Sequence, residues 1–137
     1  MRASTIVVLL LAACSISLCQ VPWTYCPGSD GSKISVNSCP IVPFPIVKGK
    51  PVSFEVVGTA KVAISQKNAR LDVYTSGTKI FTTNVGNAYS TSAGQGYDYK
   101  FSYSIPSFVP AGSYEVHISM IDTSGNSLGC VVVTMNF

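Results

Sequence analysis

The segment from residue 97 to residue 105 constrains this chain more than any other. Tyr97, Tyr99, Phe101, Tyr103 and Ile105 alternate with Asp98, Lys100, Ser102 and Ser104, the period-2 pattern of a strand with one buried face. Val109-Pro110-Ala111-Gly112-Ser113-Tyr114 then leads into a second alternating strand over residues 114–121, a turn at 122–126 and a closing apolar strand over 128–137. Upstream, Ile34-Ser35-Val36 reads as a first strand, and Pro40, Pro43 and Pro45 make residues 39–46 an extended edge or crossover. Val52, Phe54 and Val56 alternate with Ser53 and Glu55, after which Gly58 is expected to reset the register before Val62 and Ile64. Leu71 and Val73 repeat the pattern around Asp72, Ser76-Gly77 turns the chain, Lys79-Ile80-Phe81-Thr82 forms a short strand, and residues 84–96 read as a long Gly-, Ser- and Asn-rich loop. About seven or eight short strands at this spacing, with no internal repeat and no convincing helix, predict an all-β, immunoglobulin-like β-sandwich of two antiparallel sheets.

The amino terminus carries a different signal. Arg2 precedes the apolar run Ile6-Val7-Val8-Leu9-Leu10-Leu11-Ala12-Ala13, too short to span a bilayer but the size of a signal-peptide core. Ser17 and Cys19 supply the small residues of a cut before Gln20, so residues 1–19 are expected to leave and residues 20–137 to form one mature domain. Leu11-Ala12-Ala13-Cys14 offers a rival lipobox reading, which would place a lipid on Cys14. The rest of the chain contains no segment long and apolar enough to cross a membrane as a helix.

Charge and residue inventory exclude whole classes of function. Nine Lys and Arg stand against six Asp and Glu, scattered and not in runs, whereas nucleic acid binding needs a dense basic stripe. A weak pull toward anionic lipid head groups, about 1 kcal/mol per well-placed cation, is the most such a surface offers. His117 is the only histidine, and parity sets it with Glu115 and Ser119 on the outward face of its strand. It lacks the partners for a nucleophile–base pair, and one His with a lone thiol is too few ligands for zinc. With no Gly-rich phosphate loop either, the expectation is a non-enzyme without metal or cofactor.

Only Cys26, Cys39 and Cys130 follow the leader, enough for one bridge and one leftover thiol in an oxidising compartment. Pairing Cys26 with Cys130 closes a loop of about 100 residues, worth about 4.7 kcal/mol in the chain-entropy model, and is favoured on that ground. Cys26–Cys39 and Cys39–Cys130 remain open, and the odd thiol is either buried and inert or a route to a covalent dimer.

Several short motifs converge on one family. Cys26 ahead of a Gly-containing segment, Ser38-Cys39-Pro40 entering a Pro-rich crossover, and Lys48-Gly49 before an alternating strand resemble the ML lipid-recognition family. So do Pro110-Ala111-Gly112-Ser113-Tyr114 and Leu128-Gly129-Cys130-Val131. The family includes a lysosomal sterol-transfer protein and the phosphatidylglycerol/phosphatidylinositol transfer proteins of fungi and amoebae, and this short, Ser/Thr-rich chain is most similar to the latter. The resemblance implies a lipid pocket between the two sheets, a Cys26–Cys130 disulfide, and a protein that is secreted or held in the lumen of the endosome or lysosome. It departs from the sterol-carrying pattern where Phe44 replaces a cysteine partner for Cys39, and where cysteine-free residues 84–96 replace a further disulfide loop.

Inward parity names the candidate lipid-lining residues: Val52, Phe54, Val56, Leu71, Val73, Tyr99, Phe101, Tyr103, Val116, Ile118, Met120, Val131 and Val133. Any sandwich needs such residues to fill its core, so each position serves packing as readily as ligand contact. The tyrosine row of Tyr97, Tyr99 and Tyr103 suits the mouth of a pocket, where hydroxyls find water or a polar head group. Phe44 and Phe108, in Pro-flanked connections, are suited to rest on a membrane or to plug the end of the sandwich, and apolar loop residues commonly fold back on the core. Lys48 and Lys50 beside the first loop are candidates to attract anionic membranes. Two functions follow: a monomer that carries phosphatidylglycerol, phosphatidylinositol or sterol between membranes through transient membrane contact, or a secreted immunoglobulin-like module that binds protein or carbohydrate through loops such as residues 84–96.

Overall fold

The computed structural model describes residues 21–136. The leader and its cut site lie outside the described residues. The described residues form ten strands: β1 (Trp23–Tyr25), β2 (Ile34–Ser38), β3 (Ile41–Val42), β4 (Pro51–Ala60), β5 (Ile64–Thr75), β6 (Thr78–Val85), β7 (Tyr89–Thr91), β8 (Gly96–Ser104), β9 (Ser113–Asp122) and β10 (Ser127–Asn136). One sheet has the order β1-β10-β9-β5, with β6 and β7 pairing successive parts of the far edge of β5. The other is built on β4, with β8 along one edge and β2 then β3 along the other. All these pairings are antiparallel, and the two sheets form the expected immunoglobulin-like sandwich.

The alternations survive into the fold because they set which face each strand buries. Tyr97, Tyr99 and Phe101 of β8 lie beside Val52, Phe54 and Val56 of β4 on one inner face, with the Phe54 and Phe101 rings stacked at 5.1 Å. Leu71, Val116, Ile118, Met120, Val131 and Val133 fill the opposite inner layer, and the two layers make one contiguous core.

The structure corrects the register at two places. At Gly58 the β4 alternation does not reset but runs on to buried Ala60, and the chain breaks only at residues 61–63. Gly58 is there for a different reason: a Cβ on it would collide with the Ser35 backbone carbonyl of β2. Gly58→Ala is therefore expected to push β2 off β4 and cost about 1–3 kcal/mol, read as a lowered urea midpoint. The second place is β5, where inward Ile64 and Gln66 are even-numbered while Ala69, Leu71 and Val73 are odd. A bulge between Gln66 and Asn68 absorbs the extra residue and joins two patterns that look separate in sequence into one strand.

Residues 84–96 are not one loop. β6 runs to Val85, and β7 inside the span pairs with β5 through Tyr89, Ser90 and Thr91. Residues 39–46 follow expectation, contributing only the two-residue edge strand β3. Cys26 and Cys130 form the disulfide, with the Cys26 N–H donating to the Cys130 carbonyl at 3.0 Å. Cys39 is free and buried, and burial pushes its thiol up to about 12, so it carries no reactive thiolate at neutral pH.

Candidate functional site

β8 pairs only with β4, so its other edge faces β6 and β7 of the opposite sheet. Along the β7 half that gap is stitched by polar groups. The Asp98 N–H donates to the Tyr89 hydroxyl at 3.2 Å, the Tyr99 hydroxyl donates to the Asn87 carbonyl at 2.7 Å, and the Tyr97 hydroxyl donates to Oε1 of buried Gln66. Tyr89 packs edge-on against the Tyr97 and Tyr99 rings, and burial pushes the Tyr97 phenol up, keeping it a neutral donor.

Along the β6 half the contact is different in kind. Among the described residues no hydrogen bond ties β6 to β8, and the nearest ring contact is Phe81 with Tyr103 at 6.0 Å. Here an apolar cavity of about 220 Å³ opens between the sheets, lined by Val73, Ile80, Phe81, Tyr103, Ile105, Pro106, Phe108, Val109 and Pro110. Its rim is held firmly. The Tyr114 hydroxyl donates to the Pro110 carbonyl at 2.6 Å, the Gly49 N–H to the Ile105 carbonyl at 2.6 Å, and the Lys48 ammonium to the Val109 carbonyl at 2.8 Å. Lys48 thus braces the rim and is not a free solvated lysine.

Phe108 projects from that rim at 85% exposure, and Phe44, Val42 and Val47 on the neighbouring connection are exposed as well. Neither phenylalanine plugs the sandwich, contrary to the fold-back expectation: Phe44 is 47% exposed and Phe108 stands out at the cavity rim. Ile80 and Phe81 add to the same exposed apolar set.

The thirteen inward candidates are brought together, all buried except half-buried Tyr103. Of these only Val73 and Tyr103 border the open cavity, and the others pack against one another across the sandwich. Of the tyrosine row, Tyr97 and Tyr99 spend their hydroxyls inside the protein and Tyr103 alone stands at the mouth. Ile80, Phe81, Ile105 and Val109 escaped the sequence-derived set. For Ile80 and Phe81 the available signal was their adjacency on a strand, Thr78–Val85, whose other residues apart from Val85 are polar.

His117 lies on the outer face, with its ring 4.4 Å from Tyr74 and its Nε2 3.5 Å from Glu115 Oε2. No hydrogen bond joins it to a hydroxyl or thiol among the described residues. It comes within 4.8 Å of the Cys26 and Cys130 sulfurs, but the disulfide leaves them no thiolate to offer a metal.

Comparison with known proteins places the chain. The family model for the ML domain matches residues 20–137. A Dictyostelium discoideum protein with the provisional name phosphatidylglycerol/phosphatidylinositol transfer protein 2 is 28% identical over 136 residues, 93% of each chain. A second protein of that kind from the same organism is 24% identical over 116 residues, 80% of each chain. Among solved structures, a Niemann-Pick type C2 protein from Japanese carpenter ant superposes with a TM-score of 0.67 at 14% identity, covering 84% of this chain and 98% of that one. Chicken MD-1 complexed with lipid IVa gives 0.52 at 11% identity, covering 84% and 88%. These two likenesses are of fold.

Proposed function

We propose that this chain, which belongs to the ML domain family, is a monomeric lipid carrier that loads acyl chains between its sheets through the β6–β8 gap. The carrying observation is the apolar cavity along the β6 edge, where among the described residues no hydrogen bond reaches β8, beneath a rim of exposed Phe108, Ile80 and Phe81. Each methylene lifted from a bilayer into water costs about 0.8 kcal/mol, so a carrier must supply an apolar wall continuous with the membrane.

At about 220 Å³ the cavity is smaller than the roughly 300–1,000 Å³ of pockets that enclose a ligand. Loading therefore requires β6 to part from β8. That movement breaks side-chain contacts such as Phe81–Tyr103 but no backbone ladder, so a lipid that fills the widened space shifts the population toward it. The named relatives support phosphatidylglycerol and phosphatidylinositol as cargo over sterol. The disulfide supports a secreted or lumenal site of action. Phe108 and Phe44 are the groups suited to enter the membrane interface during exchange.

Native mass spectrometry of the secreted protein, then solvent extraction, is expected to show one bound phospholipid. Ile80→Asp, at a half-exposed position, should leave the melting temperature nearly unchanged while cutting transfer of fluorescent phosphatidylglycerol between vesicles by about tenfold or more. Phe108→Ser should weaken vesicle association by a similar factor and leave the extracted lipid in place. A bare mass that stays bare after incubation with mixed vesicles overturns the carrier reading in favour of a protein- or carbohydrate-binding module.

A further inference from the structure

A second concavity, of about 400 Å³, lies on the outer face of the six-stranded sheet between β5, β9, β10 and the connection at residues 27–33. Its lining of serines, aspartates, lysines and an arginine is unsuited to acyl chains. The connection forms a fixed wall: the Cys130 N–H donates to Ser29 Oγ at 3.1 Å, and the disulfide ties the root of the connection to β10. The floor is a charged cluster. Asp72, whose side chain is only 6% exposed, takes the Thr82 hydroxyl at 2.6 Å and Arg70 Nε at 3.1 Å, with the Lys79 ammonium 3.6 Å away. Burial alone would raise the Asp72 carboxyl, but the Thr82 and Arg70 hydrogen bonds and the two cations hold it below its ordinary value.

The distribution of partners within this cleft is uneven. Asp30 turns back onto its own connection, accepting from the Ser32 N–H at 3.0 Å, and Asp72 is committed to Thr82, Arg70 and Lys79. The third nearby carboxylate, Glu115, faces His117. Arg70 hydrogen-bonds Asp72 through Nε, and among the described residues neither its terminal Nη groups nor the ammonium of Lys33, which lines the same cleft, donates a hydrogen bond to a carboxylate. A guanidinium fixed at Nε with its terminal fork free is the arrangement that receives two oxygens of one oxyanion. Walls set rigidly around it concentrate that field.

We infer that this cleft is a binding site for a phosphate group, held by the Arg70 terminal nitrogens and Lys33, with Asp72 as the residue that positions Arg70. The site is separate from the acyl cavity, and its test needs no lipid loading. The phosphate is either a soluble phosphate ester or the head group of a lipid in a membrane.

Inorganic phosphate titrated into the ¹⁵N-labelled secreted protein at constant ionic strength should give saturable shifts confined to the Arg70 side chain and the Gly31 and Ser119 amides. Arg70→Lys keeps a cation against Asp72 and so preserves the fold, but loses the fork, and affinity should fall about tenfold. Lys33→Gln, at an exposed position, should weaken binding by a smaller factor with unchanged stability. Shifts that never saturate, that scatter over the surface lysines, or that are unaltered in Arg70→Lys overturn the proposal. Glycerol 3-phosphate and phosphatidylglycerol vesicles then separate the sources: competition by the ester alone assigns a soluble ligand, and displacement of phosphate by the vesicles assigns a lipid head group.

Discussion

Replacing Cys26 and Cys130 together by serine is expected to remove a large share of the stability of this domain. The bridge spans 104 residues of sequence, and closing a loop of about 100 residues restricts the unfolded chain by about 4.7 kcal/mol in the entropy model, with measured losses of about 2–5 kcal/mol for small secreted domains. Total stability of such a domain is about 5–15 kcal/mol, so at the lower end of that range the variant falls to the edge of folding. The local structure adds to the loss. β1 is three residues long and holds to β10 only through Trp23, Thr24 and Tyr25, with the Cys26 N–H bond at its end. Without the covalent tie, that strand and the wall of the outer cleft rest on this short ladder, the Val36 N–H bond to the Tyr25 hydroxyl at 3.0 Å and the packing of Val21, Trp23 and Tyr25. Guanidinium denaturation of the double variant checks this, and the double change avoids a second unpaired thiol beside Cys39. A loss under about 1 kcal/mol would mean that the sheet ladders alone fix both ends of the chain.

Which residues face inward was legible in the sequence, because period 2 assigns a face without reference to any partner. What lies between the faces was not. Val52, Phe54, Val131 and Val133 are inward as read, yet they pack against one another, and the open space lies at an end of the sandwich, bordered by Ile80, Phe81 and Ile105. Sheet separation depends on how far β6 stands from β8, a tertiary quantity with no sequence period. The bulge at Gln66–Asn68 was hidden for a related reason: it shows only as a parity change, and Lys67, Asn68 and Arg70 between the two patterns resemble a turn. β7 was hidden because Tyr89 is one aromatic among Gly, Ser and Asn, and becomes a strand residue through its ring contacts with Tyr97 and Tyr99. The outer charged cluster is assembled by register alone, Asp72 lying opposite His117 on one side and Thr82 on the other.

Phe54→Ala separates a packed interior from a lipid path through it. Phe54 is 1% exposed and stacks on Phe101 at 5.1 Å with the planes 7° apart. Truncating a buried phenylalanine costs about 3–5 kcal/mol, part of it for the cavity left behind, and the lipid-free protein should lose that much by denaturant titration. A loss under about 1 kcal/mol would show that the sheets are not packed there. The informative comparison is with the lipid-loaded protein. If the acyl chain runs between the sheets as far as Phe54, it occupies the vacated volume, binds the variant more tightly, and returns part of the lost stability through ligand linkage. The loaded variant should then be destabilised by at least about 1 kcal/mol less than the lipid-free one. Equal losses in the two states would confine the chain to the outer space by Val73 and Tyr103. Lipid would then sit at the mouth with the core of the sandwich closed behind it, and transfer would need only the β6–β8 edge to move.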